Sequence, residues 1–366
     1  MEYIRMNKRR EMLDAISRKT PARIPFTFEA TRECQDRLRK HLGLQDNIDL
    51  GDYFGCHKFD SLWGGLGAGP NLPEHTAKMP APTDTVRYNI WGARQEYIQA
   101  GNAWYWEITE YPLAKCATIA DIEKYCWPSP DEVVWPEIPA DFTFETWKQD
   151  KLVLDMSFIG PFGIPWMMRG MEQLMLDLYE NPGIVDAIVA KVEEYSLTCL
   201  GRMLEKYKGM IDLVGSGDDY GTQMSLFISP ELIRKHFMPS LKRHYDLAAS
   251  CGVKGYHHSC GSVYHIIPDM IAAGVNVLNP IQTTAADMDP SRLKKEFGKY
   301  LCFHGGVDTQ HTMTEGSTDD VKNEVKRLVG QLGPNGYIVG PGHVLQADVP
   351  PENIVALYET MKDLHQ

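Results

Sequence analysis

Eight short apolar runs, each bounded by Gly, Pro or Asp, constrain the fold of this chain more than any motif it carries. They are RIPFTFE (23–29), FDSLWG (59–64), KLVLDMSF (151–158), MIDLVGS (210–216), GVKGYHH (252–258), GVNVLNP (274–280), KYLCFHGG (299–306) and GYIVGPG (336–342). Runs of this length, rich in β-branched and aromatic residues and closed by turn formers, predict buried strands. Between most of them lie longer segments with helical punctuation. The stretch 229–252 opens on Ser-Pro-Glu and closes on Gly252, which predicts one capped helix. Strand and helix alternate eight times, as in a (β/α)8 barrel and unlike an open doubly wound sheet. The expectation is an α/β protein with a single barrel domain over residues 1–366 and an insertion at about 64–150.

That insertion falls after the second run and exceeds what a barrel helix needs. Its segment 84–114 alternates apolar and polar residues about Gly101-Asn102, which predicts a small antiparallel hairpin set as a lid above the barrel mouth. The following CATIADIEKYCWPSPDE (116–132) predicts a short helix ended by Pro128.

Composition narrows the function classes. With 37 basic against 49 acidic residues the net charge is −12, and no Lys/Arg run supplies the basic face that phosphates require, so nucleic acid is not an expected partner. The eight cysteines have no framework spacing and the first residues lack an apolar signal core, which predicts reduced thiols in the cytoplasm. No apolar stretch is long enough to span a membrane. The oligomeric state is left open, a homodimer included.

In a barrel of this kind the chemistry stands at the C-terminal ends of the strands. Those positions carry Glu29, Trp63, Ser157, Asp218 with Asp219, His257 with His258 and Cys260, Asn279 with Gln282, His304 with Asp308, and His343. A lone His-X-Cys is as readily two core residues as a metal site. Its place after the fifth strand, with His343 arriving at the same mouth from the eighth, gives two donors close in sequence, a third from afar and an open position. That is the pattern of a catalytic zinc, with His258, Cys260 and His343 as ligands. His257 is expected to face the barrel wall, because neighbours on a strand point opposite ways. Asp219 and Glu29 are the candidate proton carriers. Trp63, Trp91, Trp104, Tyr105, Trp106 and Trp166 crowd the insertion and the loop after the third strand. Of these, Trp63, Trp91 and Trp166 are candidates for a wall against a flat aromatic substrate, with Asn279, Gln282 and His304 as its polar contacts.

The run from YHHSCGSVYHIIPDMIAAGVNVLNPIQ through FHGGVDTQHTMTEGSTDDVKNEV to GYIVGPGHVLQADVPPENIVALYE resembles the uroporphyrinogen decarboxylase superfamily, and within it the cobalamin-dependent methyltransferase branch. The resemblance is close over about residues 205–362 and looser before them. It implies a (β/α)8 barrel, in agreement with the strand count. The decarboxylases carry an arginine-rich signature that grips substrate carboxylates. Here the corresponding stretch is FTFEATRECQDRLRK, with Glu29 where a cation is wanted, which speaks against porphyrinogen decarboxylation. In the methyltransferase branch a His-X-Cys pair and a later cysteine bind zinc. His258 and Cys260 match the pair, and His343 stands where the later cysteine is absent. The corrinoid-binding signature Asp-X-His-X-X-Gly is missing too, so a separate corrinoid protein is the implied partner. The resemblance therefore implies a zinc-dependent methyltransferase acting between a small substrate, first a methoxylated aromatic that is O-demethylated, and the cobalt of that partner. The alternatives are transfer from a methylcorrinoid to a thiol or folate, a metal-free decarboxylase in which Asp219 protonates the carbanion, and a catalytically dead barrel that binds a tetrapyrrole.

Overall fold

The computed structural model describes residues 7–66, 69–70, 83–100, 103–155 and 160–365. Among them, seven parallel strands form one curled sheet, in the order β1 (Lys58–Asp60), β5 (Lys151–Asp155), β6 (Leu213–Gly217), β7 (Lys254–His258), β8 (Val275–Ile281), β9 (Cys302–Val307) and β10 (Tyr337–Pro341). Six of the strands follow one another in space as in sequence, each with a helical crossover, as right-handed βαβ units dictate.

The first run differs from expectation. Residues 23–29 and the following Ala30 make only isolated parallel bridges, Phe26 with Val339 and then Ala30 with Leu345. Pro25 has no N–H, so a longer ladder cannot build from it. Its carbonyl accepts from Val339 N (2.8 Å), Thr27 N donates to Val339 O (2.9 Å), and Phe26 O accepts from His57 N (2.7 Å) beside β1. The segment thus bonds to β10 on one side and to the residue before β1 on the other. The second run keeps only Lys58–Asp60 as strand, and Trp63 lies on the helix Leu62–Leu66 rather than at a strand end.

Helix Lys8–Ile16 sets which end of the sheet is functional. Its Met12, Ala15 and Ile16 are buried against Leu152, Leu213, Tyr256, Val277, Cys302 and Ile338 from successive strands. Arg9 reaches across to Asp212 at 2.6 Å. This plug closes the N-terminal end with fully buried side chains, of which Met12 and Ile16 contribute roughly 1.5–3 kcal/mol each, and the C-terminal ends remain for chemistry.

Two further expectations are corrected. The stretch 229–252 forms two helices, Pro230–His236 and Met238–Ser250, because Pro239 lacks the N–H that a continuous helix needs and its ring would strike the preceding turn. Ser229 caps the first, accepting from Leu232 N. The predicted hairpin is a three-stranded antiparallel sheet of β2 (Val86–Tyr88), β3 (Arg94–Ala100) and β4 (Ala103–Glu110). Asn89 turns the chain into β3, its Oδ1 accepting from Trp91 N and Ala93 N at 3.0 Å each. The short helix runs over Ile119–Lys124 with a Thr118/Asp121 capping box, and ends before Pro128. Ser157 and the side chain of Trp104 lie outside the described residues. No helix among the described residues is long and apolar enough to cross a membrane.

Candidate metal centre

At the C-terminal ends of β6 and β7 three donors converge. His258 ends β7, Cys260 follows two residues on, and Asp219 stands in the loop after β6. One ligand atom from each lies within 4.8 Å of the other two. His258 Nε2 is 3.5 Å from Cys260 Sγ and 3.8 Å from Asp219 Oδ1, which also accepts from Cys260 N at 2.8 Å. The glycines flanking these residues serve loop against loop. A Cβ on Gly261, whose φ is +82°, would lie 2.5 Å from the carbonyl carbon of Gly221 and 2.5 Å from Thr222 O, and one on Gly221 would lie 2.8 Å from Cys260 O. Only backbone this bare lets the two loops touch and lays Asp219 over the Cys260 amide.

The tautomer of His258 follows from its neighbours. Register pairs His258 with Asn279 across β7 and β8, so both side chains share a face. His258 Nδ1 donates to Asn279 Oδ1 at 3.0 Å, and Asn279 Nδ2 donates to His304 Nδ1 at 3.1 Å. The Tyr256 hydroxyl, 2.8 Å away, shares that one Nδ1 lone pair with Asn279, and His304 Nε2 then donates to Thr27 Oγ1 (2.8 Å). With every other nitrogen in this chain of bonds engaged, His258 Nε2 is left as a lone pair facing Cys260 and Asp219. A second group that holds the far nitrogen of an imidazole in this way is the usual companion of a metal-binding histidine.

The electrostatics match. Burial pushes the Cys260 thiol up to about 12, with Asp219 adding to the rise, so the sulfur holds its proton until a cation replaces it. Burial lowers His304 to about 3, and the nearby His258 acts in the same direction, so its ring is neutral. Glu29 lies across the mouth with Oε1 4.0 Å from His304 Nε2. Surrounding protein raises its carboxyl above the ordinary value, and His258 opposes that rise.

The other residues singled out by sequence fall into three places. His343 is exposed, and its ring centroid stands 6.4 Å from that of His258, at the edge of the three-donor cluster. Gln282 ties loops together, its Oε1 accepting from Gly261 N (2.8 Å) and Gln223 Nε2 (3.3 Å) and its Nε2 donating to Gly342 O (3.4 Å). Trp63 and Trp91 line a separate apolar cavity, whereas Trp166 packs against the main core. His257 turns into the wall, with Nδ1 on Ser216 Oγ (2.8 Å) and its ring stacked on Tyr220. The acidic pair divides its work. Asp218 is buried and accepts from Phe162 N (3.1 Å), Gly163 N (2.6 Å) and the Tyr220 hydroxyl (2.8 Å), while Asp219 faces the cluster. Thr27 and Tyr256 escaped the sequence reading. Tyr256 lies two residues before His258 and so on the same face, a period-two signal present in the chain.

Three comparisons bear on this geometry. A family model described as uroporphyrinogen decarboxylase (URO-D) matches residues 146–364. A uroporphyrinogen decarboxylase from Chlorobaculum parvum is 22% identical over 200 residues, 51% of this chain and 51% of its own, so the chain spans about half the length of that relative. One from Syntrophotalea carbinolica is 23% identical over 263 residues, 68% of this chain and 71% of its own. Among solved structures, a methyltransferase from Methanosarcina mazei superposes with a TM-score of 0.62 at 16% identity, covering 99% of this chain and all of its own. At that identity the likeness is one of fold.

Proposed function

The chain belongs to the uroporphyrinogen decarboxylase family, and within it we propose that this member is a zinc-dependent methyltransferase rather than a porphyrinogen decarboxylase. The observation that carries the reading is the convergence of His258 Nε2, Cys260 Sγ and Asp219 within 4.8 Å of one another, with the imidazole already held in its ligating tautomer by Asn279. Mixed nitrogen, sulfur and oxygen donors suit zinc, and three protein ligands leave a position for substrate. The third donor is Asp219 in this arrangement, with His343 standing across the same space. We take the segment 25–30 as the eighth stave of a (β/α)8 barrel, and the β2–β4 sheet as a lid over its mouth. Hydrogen bonds from that segment toward both sheet edges support the first, and the Tyr105 hydroxyl 3.5 Å from Gln346 Oε1, just past β10, supports the second.

When bound, zinc would supply a Lewis acid beside the atom that releases or receives the methyl group. The protein's own residues do the rest. Asn279 and the His304–Thr27 bond orient the imidazole, and Cys260 is fixed through its amide on Asp219. Glu29, held protonated more readily than an ordinary carboxyl, delivers the proton to a leaving oxygen. For a methoxylated arene, a corrinoid on a separate protein would serve as the methyl acceptor; the C–O electron pair stays on the substrate oxygen, and Glu29 is placed to protonate it.

A metal-free decarboxylase is the second reading, favoured by the names of the relatives and with Asp219 as the proton donor. The arginines after Glu29 speak against it. Arg32 lies 3.9 Å from Asp36, and Arg39 bonds Asp36, Gln35 and Ile48 O, so these two cations are matched to acceptors of their own helix and the turn after it, while Arg37 is exposed on the same helix.

The test mixes the zinc-loaded protein with a reduced corrinoid protein and 1,2-dimethoxybenzene. Loss of the cobalt(I) absorbance together with release of the phenol is the expected result. Release of carbon dioxide from a porphyrinogen by protein stripped of metal would overturn the proposal.

A further inference from the structure

Gln282, the first residue after β8, meets three loops at the C-terminal end of the sheet with one amide group. Its Oε1 accepts from Gly261 N (2.8 Å) in the loop after β7 and from Gln223 Nε2 (3.3 Å) in the loop after β6. Its Nε2 donates to Gly342 O (3.4 Å), just past β10. The orientation of this amide is forced. A backbone N–H can only donate and a backbone C=O can only accept, so the oxygen must face Gly261 and the nitrogen Gly342. Both lone pairs of the oxygen are then used, which leaves Gln282 no acceptor to offer a substrate.

The same three loops carry Cys260, Asp219 and His343, and Gly261 and Gly342 are direct neighbours of the first and the last. Around Cys260 the backbone donors form a run. Ser259 N donates to Asn279 O (2.7 Å), Cys260 N to Asp219 Oδ1 (2.8 Å), Gly261 N to Gln282 Oε1 (2.8 Å) and Ser262 N to Thr222 O (2.7 Å). The thiol is thereby held from the β8 side both before and after it. Gln223 O in turn accepts from Ala286 N (2.9 Å), which joins the loop after β6 to the loop after β8 a second time. Donors on separate loops make a good metal site only when their spacing is set in advance, because an ion that must order them loses affinity to that ordering.

We propose that Gln282 is a positioning residue of the metal centre, which sets the spacing of Cys260 against Asp219 before an ion arrives and makes no contact with substrate. The inference rests on the reading of His258, Cys260 and Asp219 as metal ligands.

Two variants test it, Gln282→Met, close in length and bulk, and Gln282→Glu, which keeps an acceptor toward Gly261. In metal-free protein, hydrogen–deuterium exchange of the peptide 259–263 is read by mass spectrometry. The Gly261 amide is expected to exchange about fivefold faster in the Met variant, the worth of one such bond, and at the native rate in the Glu variant. Zinc affinity, measured by competition with a chromogenic chelator, is expected to fall about tenfold in the Met variant. Thermal melting confirms that both variants are folded. Native zinc affinity in the Met variant, whatever its melting temperature, marks a merely structural or substrate-binding side chain and would overturn the proposal, as would native exchange at Gly261. An unaltered chain that takes up no zinc would overturn the metal reading and the proposal with it, a failure told apart because it is read before any substitution is made.

Discussion

Asn279 is the residue on which the ligating state of His258 depends. It faces two histidines at once, accepting from one and donating to the other. Replacing it with Leu keeps the bulk and removes both bonds, so His258 loses its fixed tautomer. Loss of such a supporting bond weakens metal binding by about 10–100-fold. Competition for zinc against a chromogenic chelator should show that drop in Asn279→Leu with the circular dichroism spectrum unchanged, and an affinity equal to that of the native chain would contradict it. Sequence placed Asn279 at the mouth as a substrate contact. Its partnership with His258 was not legible, because it depends on the register of β7 against β8, which no local pattern encodes. The His258–Cys260 pair was legible, since both donors belong to one strand end. Asp219 entered as a proton carrier, because its approach to Cys260 is set by the meeting of Gly221 and Gly261, two loops far apart in the chain whose contact no local pattern encodes.

At the scale of elements, the loop after β6 and the helix Gly163–Arg169 are joined through Asp218. The carboxylate takes two backbone N–H groups at the helix start and the Tyr220 hydroxyl, all buried. Asp218→Ala leaves those donors without partners, a loss of roughly 3–5 kcal/mol in urea unfolding, whereas Asp218→Asn, which retains an acceptor, loses less. Burial raises this carboxyl from 3.8 to about 7 against the pull of its three donors. Folding therefore takes up a proton here, and the contribution of Asp218 to stability falls as pH rises from about 4 to about 7. The Asn variant should lack that slope, and identical pH profiles for the two proteins would contradict the assignment. Among elements, β5 to β10 were plain in the sequence because each is an apolar run closed by turn formers. The strand Val86–Tyr88 was not, being three residues long with Arg87 outward. The break at Phe237 was written in Pro239, and the weak bridging of residues 23–29 in Pro25, two chemical facts outweighed by the apolar pattern around them.

For the molecule as a whole, the decisive junction is where the first segment meets β10. Gly340 lies against it, and a Cβ there would stand 2.9 Å from Thr27 Oγ1 and 3.3 Å from His304 Nε2. Gly340→Ala should force that contact apart, lowering stability by roughly 1–3 kcal/mol by calorimetry and weakening zinc affinity in parallel, because the His304 bond belongs to the chain that ends at His258. A stability loss with unchanged zinc affinity would separate the junction from the site. The α/β alternation announced this architecture, and the N-terminal plug of Met12, Ala15 and Ile16 explains why all the candidate chemistry gathers at one end. The account rests on a divalent ion at that end, and X-ray absorption at the zinc edge on metal-loaded protein tests it most directly. About one zinc per chain with a single sulfur neighbour at about 2.3 Å and nitrogen or oxygen neighbours at about 2.0 Å is predicted, the sulfur lost in Cys260→Ala, the metal weakened in Asp219→Ala and retained in His343→Ala. A protein that takes up no zinc, or whose zinc has no sulfur neighbour, would contradict it.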